Sequence, residues 1–324
     1  MRSLWKDILA ALILGMILPG IMLNYAVTAL RQNTDAQSIR FTVPEETEEK
    51  PASLPVLLRR EDAAAVEGEM EEYLVCVLLA EVPATFEAEA LKAQAVAART
   101  FARKAWVTGG KHGDGSVCTQ SACCQAYMEP DVYYGRGGTE AAVEKIRMAV
   151  HATAGECLEY EGELIEATYF SCSGGRTEDA LAVWGADYPY LRAVDSPGEE
   201  SADGFTDCVT FTVEQFASAL ELELPENRES WFGQAEYTAG GGIRSLVIGG
   251  KTYTGTQLRS LLGLRSTSFS WDVTEGDIVI TTRGYGHRVG MSQYGAEAMA
   301  VEGCTYRQIL AHYYPGTELV QLGG

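Results

Sequence analysis

The chain has 324 residues, 46% hydrophobic and 22% charged, a composition that supports one large or two ordinary packed domains and excludes wholesale disorder. Its 45 acidic and 25 basic residues give a formal net charge of -20. A field of that sign repels phosphate backbones and argues against nucleic acid as a partner.

The first element is apolar. No charged residue occurs from Ile8 to Leu30, while Arg2 and Lys6 precede the run. About 20 apolar residues cross a bilayer as a helix, and flanking cations favour a cytoplasmic N-terminus. Residues 1–30 are therefore expected to form a single-pass transmembrane anchor, with the rest of the chain outside the cytoplasm. A cleaved signal peptide is the rival, but the run is long for one and no A-x-A site follows it. Residues 31–55, with the acidic, proline-punctuated stretch Val43–Pro51, read as a linker.

The remaining pattern, residues 56–320, is a mixture of helices and short strands, and the expected class is α+β. Apolar spacing predicts a helix over Glu69–Ala80, stopped by Pro83, and an alanine-rich helix over Phe86–Trp106 with Thr85 as its cap. A helix is expected over Thr139–Thr153, then strands at Leu158–Tyr160 and Ile165–Phe170 around Glu161-Gly162. Between about 195 and 270 the pattern suggests a smaller inserted α+β subdomain, with a hairpin turn at Gly249-Gly250. A strand at Ile278–Thr282 and a helix at Ala296–Glu302 are expected to return to the main body.

Four groups of residues could carry chemistry. Glu81 ends an apolar helix, where the helix dipole and Leu78, Val82 and Phe86 would disfavour the carboxylate. A carboxyl so raised suits a general acid, and the bland alternative is a solvated helix-end glutamate. Lys92 and Arg99 lie two turns apart on one face of the alanine helix and read equally as ligand contacts or surface cations. The Ser171-Cys-Ser-Gly-Gly175 turn and the Gly284–Ala296 segment, with His287, Ser292 and Gln293, offer donors and close backbone approach; each could instead be a structural turn. His112, Cys118 and Cys124 lie in a glycine-rich loop next to Cys123, a donor set suited to zinc, with a disulfide or free thiols as rivals.

Three of these stretches, Glu81-Val-Pro with Glu89–Thr100, Ser171–Gly175 and Gly286–Ala296, together resemble the stage II sporulation protein D family over about Glu69 to Tyr314. The resemblance implies a lytic transglycosylase that cleaves between N-acetylmuramic acid and N-acetylglucosamine in glycan strands stripped of stem peptides, leaving a 1,6-anhydro end. It implies Glu81 as the catalytic acid. Lys92, Arg99, Ser171, Ser173, Gly174, Gly175, His287, Ser292 and Gln293 would hold the sugar. A structural zinc at His112, Cys118 and Cys124, a role in engulfment during sporulation, and stage II sporulation proteins P and M as partners are implied in the same way. Cys172 departs from family members whose loop lacks a cysteine, which raises a Cys172–Cys208 pairing. A non-catalytic peptidoglycan-binding scaffold and a zinc-dependent cell-wall amidase are the rival functions.

Overall fold

A computed structural model describes residues 54–60, 63–200, 202 and 204–323. The expected transmembrane anchor and nearly all of the acidic linker lie outside the described residues. Among the described residues no helix is long and apolar enough to cross a membrane.

The main core is helical at its centre. The helix Met70–Glu81 is buried on every side from Tyr73 to Leu79, as its unbroken apolar run there requires. Pro83 stops it, and Val82 already has extended dihedrals. The helix Ala88–Thr108 follows and ends at Gly109, whose φ of 90° is the left-handed cap that favours glycine. Its alanines at 90, 93, 95, 97, 98 and 102 are buried. Small side chains let neighbours approach, and this helix packs against Met70–Glu81, Glu140–Ala152, Gln293–Val301 and Tyr306–Tyr313. Thr139 caps the helix Glu140–Ala152 by accepting from the Ala142 N–H.

Small sheets border this core. Pro55–Arg59 pairs antiparallel with Val66–Glu69 and parallel with Ser116–Cys118. Glu156–Tyr160 lies between Glu318–Gln321 and Glu163–Leu164, with Glu161 and Gly162 both at positive φ in the tight turn. Two short strands, Tyr169–Phe170 and Met291–Ser292, pair in parallel and bring distant parts of the chain together.

A second hydrophobic core is built from Phe216, Leu220, Trp231, Ile243, Leu246, Ile248, Leu258, Ile278 and Ile280, among others. Two three-stranded antiparallel sheets supply it, one of Thr206–Thr212, Asp277–Arg283 and Phe269–Val273, the other of Phe232–Tyr237, Ile243–Ile248 and Lys251–Thr254. The α+β class holds in both cores. The strand Asp277–Arg283, expected in the main body, belongs to the second core instead. It pairs with Thr206–Thr212 along its whole length and turns Ile278 and Ile280 inward.

Candidate active site

Glu81 is the last residue of its helix, and the chain reversal at Pro83 leaves its carboxyl beside two other segments. The Ala126 N–H donates to Oε1 at 2.7 Å, and Gln293 Nε2 approaches Oε2 at 3.5 Å. Burial raises its pKa, the two donors offset part of that rise, and no neighbouring charge contributes. Among the described residues Glu81 has no ion pair. Nearby, the Tyr73 hydroxyl donates to Gln125 Oε1 and Gln125 Nε2 donates to the Tyr169 hydroxyl, both at 2.7 Å. Burial, with a smaller effect from the Glu81 charge, keeps both phenols protonated.

Gln293 reaches Glu81 because of the parallel pairing of Met291–Ser292 with Tyr169–Phe170. Ser292 is fully buried and caps the helix Gln293–Val301 through the Gly295 N–H. The Ser171 carbonyl accepts from Tyr294 N at 3.0 Å and from Ser292 Oγ at 3.4 Å. Ser171 and Ser292 thus fasten Gln293 in place, and Ser292 has no surface left for a sugar.

The rest of the serine-glycine loop corrects the sequence expectation. It wraps a carboxylate of its own chain. Glu199 Oε2 accepts from Ser173 N and Ser173 Oγ at 2.8 Å each, from Gly174 N at 3.0 Å and from Cys172 Sγ at 3.2 Å, while Oε1 accepts from Ser196 Oγ at 2.6 Å. Gly175 N donates to Ser173 Oγ. Successive N–H groups in such a turn form an anion nest, and here the anion is internal. Ser173, Gly174 and Gly175 are therefore not free to contact a ligand through these groups. Cys172 is a free thiol bonded to Glu199, and Cys208 is exposed beside Thr281, so the two do not pair.

Arg99 is a second correction. Its guanidinium is fully buried and forks onto Glu71, with Nε to Oε1 at 3.1 Å and Nη2 to Oε2 at 2.5 Å, and donates to the Val150 and Glu156 carbonyls. No ligand can reach it. Lys92 is half-buried, paired with Glu89 at 2.7 Å and placed over the Tyr306 ring at 5.8 Å. Another buried cation, missed in the sequence, sits at Arg288. Its φ is 64°, and it bonds Ser173 O, Glu178 Oε1, Arg176 O and Gly240 O, which ties the main core to the second one.

His287, one residue earlier, lies between the rings of Phe170 at 5.5 Å and Trp184 at 5.2 Å. Its Nδ1 accepts from Val289 N, which fixes the other nitrogen as the N–H. Burial first, then the positive charge of Arg259, lower its pKa to about 4, so the ring is neutral at ordinary pH. Trp184 and Tyr285 remain 43% and 48% exposed beside it.

His112, Cys118, Cys123 and Cys124 place their donor atoms within 4.8 Å of one another. His112 Nε2 is 3.6 Å from Cys124 Sγ and 3.8 Å from Cys123 Sγ, and the two sulfurs are 3.9 Å apart. Bonds of about 2.3 Å to sulfur and 2.0 Å to nitrogen give tetrahedral edges of about 3.5 to 3.8 Å, so the donor set fits zinc. Cys123 stands with the three ligands expected from the sequence. Ala126, two residues beyond Cys124, carries the N–H that holds Glu81.

An α+β body in which a half-buried carboxyl without an ion pair is set between a His/Cys cluster and a glycine-rich loop defines the class of this protein. The SpoIID model, described as a stage II sporulation protein, matches residues 61–160. Stage II sporulation protein D of Bacillus subtilis (strain 168) is 39% identical over 273 residues, covering 83% of this chain and 79% of its own. That of Bacillus amyloliquefaciens is 38% identical over 291 residues, covering 88% and 84%. The amidase enhancer of Bacillus subtilis is 30% identical over 298 residues, covering 74% of this chain and 39% of its own. The chain belongs to the stage II sporulation protein D family.

Proposed function

We propose that this protein is a membrane-anchored lytic transglycosylase that cuts peptidoglycan glycan strands outside the cytoplasm during sporulation, with Glu81 as its acid. The observation that carries the reading is a half-buried carboxyl with a raised pKa and no charged partner. A pKa moved upward in this way favours the protonated form that a general acid must offer to substrate. Glu81 protonates the oxygen that links C1 of N-acetylmuramic acid to C4 of N-acetylglucosamine, and the C1–O bond breaks. The muramic C6 hydroxyl closes onto C1, and its proton passes to the Glu81 carboxylate, which restores the acid. No water is activated, so the second carboxylate of the hydrolases is not required. Gln293 and the Ala126 N–H orient the carboxyl through both protonation states.

A zinc ion, where bound, supplies structural cross-linking of the 112–124 loop and so fixes the Ala126 N–H. Four protein donors would leave no open position on such an ion, which favours this role over a hydrolytic one. Engulfment, with stage II sporulation proteins P and M as partners, is the setting the family suggests. The amidase enhancer relative supports a second reading, a binding scaffold that assists another wall enzyme.

Mass spectrometry of products from peptide-free glycan strands separates these readings. The wild type is expected to release 1,6-anhydro ends and Glu81→Gln none. Binding with no soluble product supports the scaffold. Free stem peptides from intact peptidoglycan, lost on chelation, support an amidase.

A further inference from the structure

Gln125 stands one residue before the N–H that meets Glu81, and it is 2% exposed. Its amide joins three elements. Oε1 accepts from the Tyr73 hydroxyl on the helix Met70–Glu81, and Nε2 donates to the Tyr169 hydroxyl on the strand Tyr169–Phe170, both at 2.7 Å. Nε2 also donates to the Ala98 carbonyl on the helix Ala88–Thr108 at 3.4 Å. A backbone carbonyl only accepts, so this contact fixes which way the amide faces. The segment around Gln125 belongs to no helix or strand. With no ladder of its own, it is held by discrete contacts. Ala126 N meets Glu81, and Met128 N donates to the Cys76 carbonyl at 2.9 Å, both on the helix Met70–Glu81. Gln125 alone among these three residues also ties the segment to the alanine-rich helix and to the strand.

The two oxygens of Glu81 meet different partners. The Ala126 N–H donates to Oε1 and cannot accept, so Oε1 is the carbonyl oxygen whenever the acid is protonated. Gln293 faces Oε2 across 3.5 Å with an amide, which donates to a carboxylate through Nε2 and, turned over, accepts from an acid through Oε1. Oε2 therefore has the partner that suits both protonation states. The titratable groups that feel the Glu81 charge are Tyr73, from its own helix, and Tyr169, from the strand, and both stay protonated.

We propose that Gln125 is a positioning residue for the acid: its clamp holds the Ala126 N–H on Oε1 and so leaves Oε2 as the oxygen that carries the transferable proton. The inference rests on the reading of Glu81 as the acid of glycan cleavage. Oε2 gives its proton to the glycosidic oxygen as the C1–O bond breaks. It takes one back from the muramic C6 hydroxyl as that oxygen closes onto C1. Gln125 touches neither substrate nor Glu81, and acts only through the backbone it holds.

The test is Gln125→Met in the full chain, which keeps the shape and removes both polar ends. Two quantities are read across pH: release of anhydro ends from peptide-free glycan, and the carbon-13 carboxyl titration of Glu81, assigned by its loss in Glu81→Gln. The Ala126 N–H favours the carboxylate, so losing it raises the Glu81 pKa. The titration and the alkaline limb of cleavage should both move to higher pH, and the plateau rate should fall about tenfold or more as the carboxyl loses its aim. Gln125→Met also leaves the Tyr73 and Tyr169 hydroxyls without their partner, which lowers stability. Adding Tyr73→Phe and Tyr169→Phe removes those hydroxyls and should restore stability, but neither the rate nor the titration. Return of rate and titration together with stability in the triple variant overturns the clamp, because the role would then be structural. A Gln125→Met variant with the wild-type titration overturns it as well. A wild type that cuts no glycan overturns the cleavage reading instead, and the carboxyl titration of the variants still decides the clamp.

Discussion

The Ser171–Gly175 and Gly284–Gln293 segments are alike in composition and lie side by side, joined through reciprocal backbone bonds between Cys172 and Tyr285. They treat their polar groups in opposite ways. In the first, donors converge on Glu199 until both its oxygens are occupied. In the second, Arg288 and Ser292 are saturated as well, but Tyr285 stays exposed, His287 is neutral among aromatic rings, and Gln293 makes one long contact to a carboxyl that has no ion pair. The same contrast separates Arg99, bonded on all sides, from Glu81, which only two donors approach. A polar group saturated by its own chain holds the fold together. A desolvated group left short of partners is available to a ligand. The comparison can be broken at either end by substitutions whose effects fall on stability in one case and on chemistry in the other.

The largest stability effect is expected at Arg99. Removing it leaves the buried Glu71 carboxylate without its cation, at a cost of about 3–5 kcal/mol in urea unfolding of Arg99→Met. Replacing both partners, in Arg99→Met with Glu71→Met, should recover most of that loss, because the penalty comes from the orphaned charge. A small loss in the single variant would mean that solvent reaches this pair, and Arg99 would return as a candidate ligand contact.

Next in size is the His/Cys cluster. Zinc at a hundredfold excess over its dissociation constant should stabilise the chain by about 3 kcal/mol, read as a rise in the unfolding midpoint that chelation reverses. Cys123→Ser should weaken this as much as Cys124→Ser if all four donors bind. A Cys123→Ser variant that responds to zinc like the wild type would reduce the shell to three ligands.

Glu81 is expected to show the opposite sign from Arg99. Its pKa is raised in the folded state, so its contribution to stability is greatest at low pH and is lost as pH rises through the folded value. Glu81→Gln removes the half-buried charge. The variant should melt a few degrees above the wild type near pH 7.5, and the gap should close below about pH 4, where the wild-type carboxyl is protonated in both states. Cleavage should vanish at the same time. Greater stability with lost activity is the pattern of an undersaturated site; lower stability at neutral pH would place Glu81 with the scaffold.

Periodicity and punctuation made the helices Met70–Glu81, Ala88–Thr108 and Glu140–Ala152 legible, since an apolar run, an alanine stripe, Pro83 and Thr139 are local signals. The helix Tyr306–Tyr313 was missed although Thr305 and Gln308 form a capping box that the sequence displays. Glu81 and Gln293 were readable because their motifs lie beside them. Glu199 and Gln125 were not, because what distinguishes them is three-dimensional. Glu199 differs from other glutamates only in the loop that closes over it, and Gln125 differs from other glutamines only in what its amide ties together. Ser173 and Gly174 misled for the same reason, since a nest for a ligand and a nest for the chain's own carboxylate have the same sequence.

Lys92 carries the smallest expected effect and tests the comparison at its boundary. It shares the alanine helix with Arg99, yet it is only half-buried. Its ammonium pairs with Glu89 three residues back, and that carboxylate also accepts from the Tyr306 N–H at 2.8 Å. Exposed pairs of this kind contribute about 0.2–1 kcal/mol, because solvent screens the attraction and side-chain entropy opposes it. Lys92→Met should therefore cost under about 1 kcal/mol in urea unfolding and leave release of anhydro ends from peptide-free glycan within about twofold of wild type. Stem stacking on Tyr306 can persist in methionine, which isolates the charge as the quantity removed. A tenfold or larger fall in cleavage with unchanged stability would show that Lys92 leaves Glu89 to meet the strand. Local pairing would then be a resting state at this position, and saturation in the free protein would no longer be enough to assign a cation to the scaffold.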